Sequence, residues 1–291
     1  ITIKNDGFVS RLKISENQKK FIVNYNENRN DPINFPVKIN DAKKTILILG
    51  NSHGGEYFDL IQNTNYLTEK YNIIYSLIQV RCLKNFINNI NRSNCFRKLE
   101  FYKENNFHEK MSLLDKVDII ILKTKWSDQD LKVLPKVIKF FKDKKKIILV
   151  GSANPMFNII EHETFDPNKN YDNEILVHSL FQKNTLLDKY YIKNSSLPKD
   201  NVLIDMEKKY FQLVNWERYE EVNKMLKKIS NDNKVIFLDD MEVFCDLETR
   251  RCDVLAGETK IHWDEKGHTT FESKSYLSDK LIQNTKLMDY L

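Results

Sequence analysis

Ser52 stands where an apolar run, Ile46-Leu47-Ile48-Leu49, stops abruptly at Gly50-Asn51-Ser52-His53-Gly54-Gly55. A serine in such a turn lies at the C-terminal edge of a sheet and near a helix N-terminus. There its hydroxyl reaches solvent, and nearby backbone N–H groups can stabilise an oxyanion. Ser52 is therefore a candidate nucleophile for acyl transfer. A nucleophilic serine needs a base, and the base needs a carboxylate to orient it. Of the six histidines, His53 adjoins Ser52 on the turn, where neighbouring side chains diverge, and His108, His162 and His178 sit in helical or polar surroundings. His262 and His268 flank the polar cluster Ile261-His262-Trp263-Asp264-Glu265-Lys266-Gly267-His268-Thr269-Thr270. A carboxylate three or four residues before His268, in a loop, can turn back to the imidazole and stabilise its cation. These residues predict His268 as base and Asp264 as its acid, with Glu265 as the alternative acid. Two other uses of the cluster compete: Thr269 or Thr270 as the cap of a final helix, and His53, His262, Asp264 and His268 as ligands of a metal phosphoesterase. The Asp-x-His and Gly-Asn-His-Asp spacings of such metal sites are absent, and neither metal nor cofactor is expected.

The elements that must position these residues alternate from residue 44 onward. Strands are predicted at Thr45–Leu49, Asn72–Gln79, Val117–Leu122, Lys146–Val150 and Val235–Leu238, each rich in Ile, Leu and Val as in a sheet covered on both faces. Helices are predicted at 55–69, 96–114, 127–143, 174–192, 215–229 and about 271–283, with apolar stripes read as core faces. This order predicts a three-layer α/β/α sandwich around a central parallel sheet, with sites beyond the C-terminal strand ends. Three such ends carry polar chemistry: Gly50 to His53, Lys123 to Ser127, and Gly151 to Pro155. Residues 1–44 read as an N-terminal extension packing on the domain, with a short helix near Ser15 to Tyr25. Residues 45–291 read as one domain carrying an inserted helical stretch at about 156–230.

Composition excludes several classes. At 41% hydrophobic and 11% aromatic, the chain is built for a core rather than for disorder. Its net charge of +5 is a small excess of 46 basic over 41 acidic residues, a solvated mixed surface rather than a nucleic-acid footprint. No stretch approaches the roughly 20 apolar residues that span a bilayer. The chain opens at Ile1 rather than Met, as expected of a processed product or a domain of a longer protein. Four cysteines fall into two local pairs whose spacings match no zinc motif. The even count, in loop-like settings, predicts the disulfides Cys82–Cys95 and Cys245–Cys252 and an oxidising compartment.

Gly50-Asn51-Ser52-His53 resembles the first block of the SGNH/GDSL hydrolases, usually Gly-Asp-Ser, and Asp264 to Thr270 resembles their last block, Asp-x-x-His. That spacing selects Glu265 as the acid, whereas residue type selects Asp264. The order of the blocks also matches, and the Gly-x-Ser-x-Gly of α/β-hydrolases is absent. Asn5 to Arg11 is similar to the segment that opens the extracytoplasmic SGNH domains fused to acyltransferase-3 membrane proteins of the O-antigen acetylase type. Such domains also tend to carry a paired-cysteine loop, a strand ending near Trp as at Lys125-Trp126-Ser127, a turn like Gly151 to Pro155, and a Cys…Cys loop before the last block. The resemblance implies a flavodoxin-like SGNH fold and an acyl-enzyme at Ser52. It further implies an acyl donor carrying acetyl and a cell-surface glycan acceptor such as O-antigen lipopolysaccharide. The implied setting is a periplasmic domain tethered to the inner membrane by an N-terminal membrane acyltransferase. A free-standing carbohydrate O-acetyl esterase and a catalytically inactive glycan-binding domain are the alternatives. The chain departs from the family in four places: Asn51 replaces Asp, Val9 stands where the N-terminal segment carries Pro, Arg81-Cys82 replaces the second-block glycine, and Trp126-Ser127 replaces Gly-x-Asn-Asp. Of the oxyanion donors, the Ser52 backbone N–H carries over, and Asn154 is the side-chain candidate.

Overall fold

The computed structural model describes residues 39–87, 107–143, 145–151, 186–262 and 268–291. In chain order, β1 (Lys44–Gly50) leads into α1 (Ser52–Gln62) and the short α2 (Asn65–Lys70). Next come β2 (Tyr71–Leu77), α3 (Val80–Ile87) and α4 (Phe107–Ser112), then β3 (Ile119–Leu122), α5 (Asp128–Phe141) and β4 (Lys146–Val150). They are followed by α6 (Leu186–Asn194), α7 (Asp200–Leu213), α8 (Trp216–Asn233) and β5 (Ile236–Leu238). Four two-residue strands, β6 (Cys245–Asp246), β7 (Arg251–Cys252), β8 (Leu255–Ala256) and β9 (Thr259–Lys260), form two antiparallel hairpins. The chain then continues into α9 (Lys274–Asn284) and α10 (Leu287–Tyr290).

These elements fall into two compact units. The sheet unit holds β1 to β5 with α1 to α5 and α8 to α10. Its strands are all parallel, in the order β2-β1-β3-β4-β5. Burial on both faces explains why each strand is a continuous Ile/Leu/Val run. Side chains alternate between faces. Leu47, Leu49, Ile120, Leu122, Ile147 and Leu149 form one face, packed with Val80 and Leu83 of α3, Leu134 and Val137 of α5, and Val222 and Leu226 of α8. On the other face the Tyr75 ring lies against Gly54 and Gly55 of α1. The outcome is a central parallel sheet between helical layers, as predicted. The order reverses between β1 and β3, and the crevice beyond the C-terminal ends at such a switch is where ligands bind in open α/β sheets.

The second unit holds α6, α7 and β6 to β9. A disulfide between Cys245 and Cys252 closes the β6–β7 hairpin. Arg251 of that hairpin reaches Glu207 of α7 at 3.8 Å. Cys82, in the sheet unit, is also disulfide-bonded, and its expected partner Cys95 lies outside the described residues.

Several boundaries differ from expectation. The helix expected at 55–69 begins three residues earlier, at Ser52, and is interrupted between Gln62 and Asn65. Gly54 and Gly55 are helix interior rather than turn: a Cβ at Gly54 would meet the Lys123 carbonyl oxygen at 2.7 Å, and one at Gly55 the Tyr75 ring at 3.3 Å. The helices α3 and α10 and the four hairpin strands were not predicted, and α7 falls within the inserted helical stretch expected at about 156–230 without having been given bounds of its own. The final long helix starts at Lys274, so neither Thr269 nor Thr270 caps it. Thr269 instead pairs with His262, and Thr270 Oγ1 donates to the Lys260 carbonyl at 2.5 Å. The N-terminal segment through residue 38 and the stretches 88–106 and 152–185 lie outside the described residues.

The tightest approach in the sheet unit lies at Gly50, where an added Cβ would stand 1.6 Å from the Lys123 carbonyl oxygen. No rotamer relieves a clash between two backbones. Gly50→Ala is expected to cost at least about 3 kcal/mol, measured as the shift in urea unfolding of the 291-residue chain.

Candidate active site

Ser52 is exposed and is the first residue of α1, directly beyond the end of β1. Asn51 sets this geometry as the helix N-cap. Its Oδ1 accepts from the His53 N–H at 3.1 Å and from the Lys125 N–H at 3.2 Å. Two N–H donors on one atom identify it as the amide oxygen. One side chain therefore caps α1 and ties it to the loop after β3. From β2, the Tyr75 hydroxyl donates to the Asn51 carbonyl at 2.8 Å, and the Gly50 carbonyl lies 3.4 Å from it. The backbone beneath Ser52 is thus held from both neighbouring strands.

Under this turn runs a buried polar network that the sequence reading did not assemble. Lys123 follows β3, and its side chain and that of Asp240, beyond β5, are each 2% exposed. The Lys123 ammonium donates to Asp240 Oδ2 at 2.9 Å, to Asp240 Oδ1 at 3.2 Å and to the Gly151 carbonyl at 2.7 Å. It also lies 6.0 Å from the centre of the Tyr57 ring of α1. Burial pushes the Asp240 carboxyl up, Lys123 pulls it down and Asp239 adds to the rise, leaving it at about 6. Asp239 accepts from Tyr219 at 2.8 Å and from Asn223 at 3.3 Å, both on α8. Burial, and then the charge of Asp239, raises the Tyr219 phenol. Asn223 also closes over Gly151, where a Cβ would stand 2.9 Å from its amide oxygen. The ends of β3, β4 and β5 are therefore linked by named polar contacts. A faint sequence signal existed: a lysine directly after Ile-Ile-Ile-Leu, and paired aspartates directly after Phe237-Leu238.

The loop after β3 is consumed by structure. Trp126 is buried, and its indole N–H donates to the Val150 carbonyl at 2.9 Å. Ser127 caps α5 in a reciprocal box with Asp130. Asp130 Oδ1 also accepts the Arg81 N–H at 2.9 Å. Arg81, the residue expected in place of the second-block glycine, thus has its amide engaged by Asp130.

The remaining expected site residues divide by unit. Ser52 belongs to the sheet unit and His268 to the second. In the second unit, the 262–270 segment is anchored by the antiparallel His262–Thr269 bridge and by the Thr270 N–H on the Ile261 carbonyl at 2.8 Å. His262 is buried and His268 half-buried. Asp264, Glu265 and Asn154 lie outside the described residues.

Two outcomes follow from the buried pair. Lys123→Met strands the Asp240 charge without its cation, and is expected to cost about 3–5 kcal/mol at pH 7, read from chemical denaturation. The pH dependence has a definite sign. Because the folded-state carboxyl of Asp240 is raised to about 6 from 3.8, the folded chain keeps a proton there that the unfolded chain has already released. Its contribution is complete below the unfolded value and is lost as pH rises through about 6. Asp240→Asn removes this downward slope, so the difference in unfolding free energy between mutant and wild type changes in the mutant's favour from pH 4 to pH 7.

A family model for the SGNH domain fused to AT3 domains matches residues 24–283. The periplasmic domain of the lipopolysaccharide acetyltransferase of Salmonella ser. Paratyphi A has a similar fold. The TM-score is 0.50 at 14% identity, covering 84% of this chain and 85% of that one. No curated protein sequence matches the chain. With the switch-point sheet and the Gly-Asn-Ser-His turn at the end of β1, the family match over 24–283 makes the chain a member of the SGNH domain family that occurs fused to AT3 domains.

Proposed function

We propose that the chain is an extracytoplasmic serine-dependent O-acyltransferase domain that moves an acetyl group onto a hydroxyl of a cell-surface polysaccharide. The observation that carries this reading is the placement of Ser52. It is exposed at the first position of α1, just beyond β1 at the switch point of the sheet, in a family named for its fusion to AT3 domains. The acceptor class comes from the fold neighbour, a lipopolysaccharide acetyltransferase. In this reading the AT3 partner supplies acyl groups from the membrane.

The proposed chemistry uses residues already named. His268 takes the Ser52 hydroxyl proton as Oγ attacks the ester carbonyl of the donor, and Asp264, or Glu265, orients the ring and stabilises its cation. The negative charge on the carbonyl oxygen is met by the Ser52 N–H, at the positive end of α1, with Asn154 as a side-chain donor. The leaving alcohol takes the proton from His268, giving an acyl-enzyme at Ser52. A sugar hydroxyl, deprotonated by His268, then attacks the acyl carbon and releases the serine. Water in place of the sugar would make the same site an esterase.

Ser52→Ala is expected to lose at least about 10³-fold in kcat for p-nitrophenyl acetate, and wild type is expected to be labelled at Ser52 by a serine-directed phosphonate. Wild-type turnover by Ser52→Ala would overturn the serine mechanism. Saccharide binding with no labelling of Ser52 would make the chain a glycan-binding domain. Supplying an O-antigen acceptor with the acetyl donor separates transfer, read as acetylated glycan, from release of free acetate.

A further inference from the structure

We propose that Lys123 is a positioning residue for Ser52 and that Asp240 exists to hold its ammonium in place. This inference rests on the reading of Ser52 as the nucleophile. It starts from an anomaly of energetics. A buried ammonium–carboxylate pair is often no more stabilising than two apolar residues of the same volume, because both charges lose their hydration. Lys123 and Asp240 are both almost fully buried, at the edge of a core cluster made mostly of Ile, Leu and Val. Stability alone does not account for a charged pair at this place.

Geometry does. Lys123 meets the nucleophile's turn and helix at three places. Its N–H donates to the Leu49 carbonyl at 3.1 Å, one residue before Gly50. Its carbonyl oxygen occupies the space that a Cβ at Gly50 or Gly54 would fill. Its ammonium lies 6.0 Å from the ring centre of Tyr57, one turn along α1 from Gly54. That ammonium is in turn fixed on Gly151 and Asp240, so the end of β3 is pinned to the ends of β4 and β5. The other charged group beside it, Asp239, is engaged by Tyr219 and Asn223. Asp240 is thus the carboxylate that holds the ammonium. Lys125, two residues on, donates its amide to the Asn51 cap. Any shift of the 123–125 backbone therefore moves both the cap and the floor of the helix that carries Ser52. Displacements of about 1 Å in a reacting group can cost about 10²-fold in rate.

The test separates position from stability. In Lys123→Met/Asp240→Leu both charges are replaced by apolar groups, so the folded chain is retained, with a melting temperature near that of wild type. The expected result is at least a tenfold fall in kcat for p-nitrophenyl acetate, with KM unchanged and with an equal slowing of phosphonate labelling at Ser52. A folded double variant with wild-type kcat would overturn the proposal and leave the serine reading intact. Absence of Ser52 labelling in wild type would overturn both. Asp240→Asn, which keeps the side-chain size and removes only the charge, is the second variant if the double variant does not fold. A loss of at least threefold in kcat with KM unmoved supports the positioning role, and an unchanged kcat overturns it.

Discussion

The candidate site depends on how closely the end of β3 approaches the end of β1. The Lys123 peptide lies where side chains at Gly50 and Gly54 would have to be. Two glycines permit this contact, and the Asn51 amide oxygen secures it by accepting from both segments. The first turn of α1 is consequently pressed against a neighbouring strand end rather than standing free above the sheet. A serine at the head of such a helix has a defined position before any substrate arrives, which is what preorganised catalysis requires.

The buried pair beneath it works by the same low dielectric that makes it costly. Charges removed from water interact strongly with one another and with fixed dipoles. An ammonium shared between a carboxylate and a backbone carbonyl therefore has a steep preference for one geometry. Apolar residues could fill the same space, but dispersion contacts are individually weak and tolerate sliding. The network formed by Lys123, Asp240, Asp239, Tyr219 and Asn223 gives the sheet's C-terminal edge directional bonds where its apolar core supplies none.

Much of the sheet was legible in the sequence because buried parallel strands are uninterrupted apolar runs. Lys146–Val150 has the predicted bounds, and the other four strands fall within two residues at either end. The start of α1 was not legible. Gly54 and Gly55 imitate a turn, and only their contacts with Lys123 and Tyr75 show why a helix needs them. The bounds of helix α7 were hidden because only Met206 and Tyr210 of its fourteen residues are buried, too few to draw a stripe. The strands β6 to β9 are two residues long, below the reach of any periodicity. At the site, Ser52 was legible from an apolar run broken by Gly-Asn-Ser-His. The Lys123–Asp240 pair was not, since residues 117 positions apart meet only after the strands have been ordered. The identity of the acid beside His268 rests on residues 263–267, which lie outside the described part of the chain.

The order of the strands also couples the covering of β4 to the placement of Asp240. β3 and β4 are separated by a single helix, but β4 and its other partner, β5, are separated by residues 151–235. Until Ile236 to Leu238 emerge, Ile147 to Val150 form an open, wholly apolar sheet edge, the kind of surface that recruits other chains. The three-residue strand that finally covers it brings Asp239 and Asp240 directly behind. Edge closure and arrival of the carboxylate at Lys123 are therefore one late step.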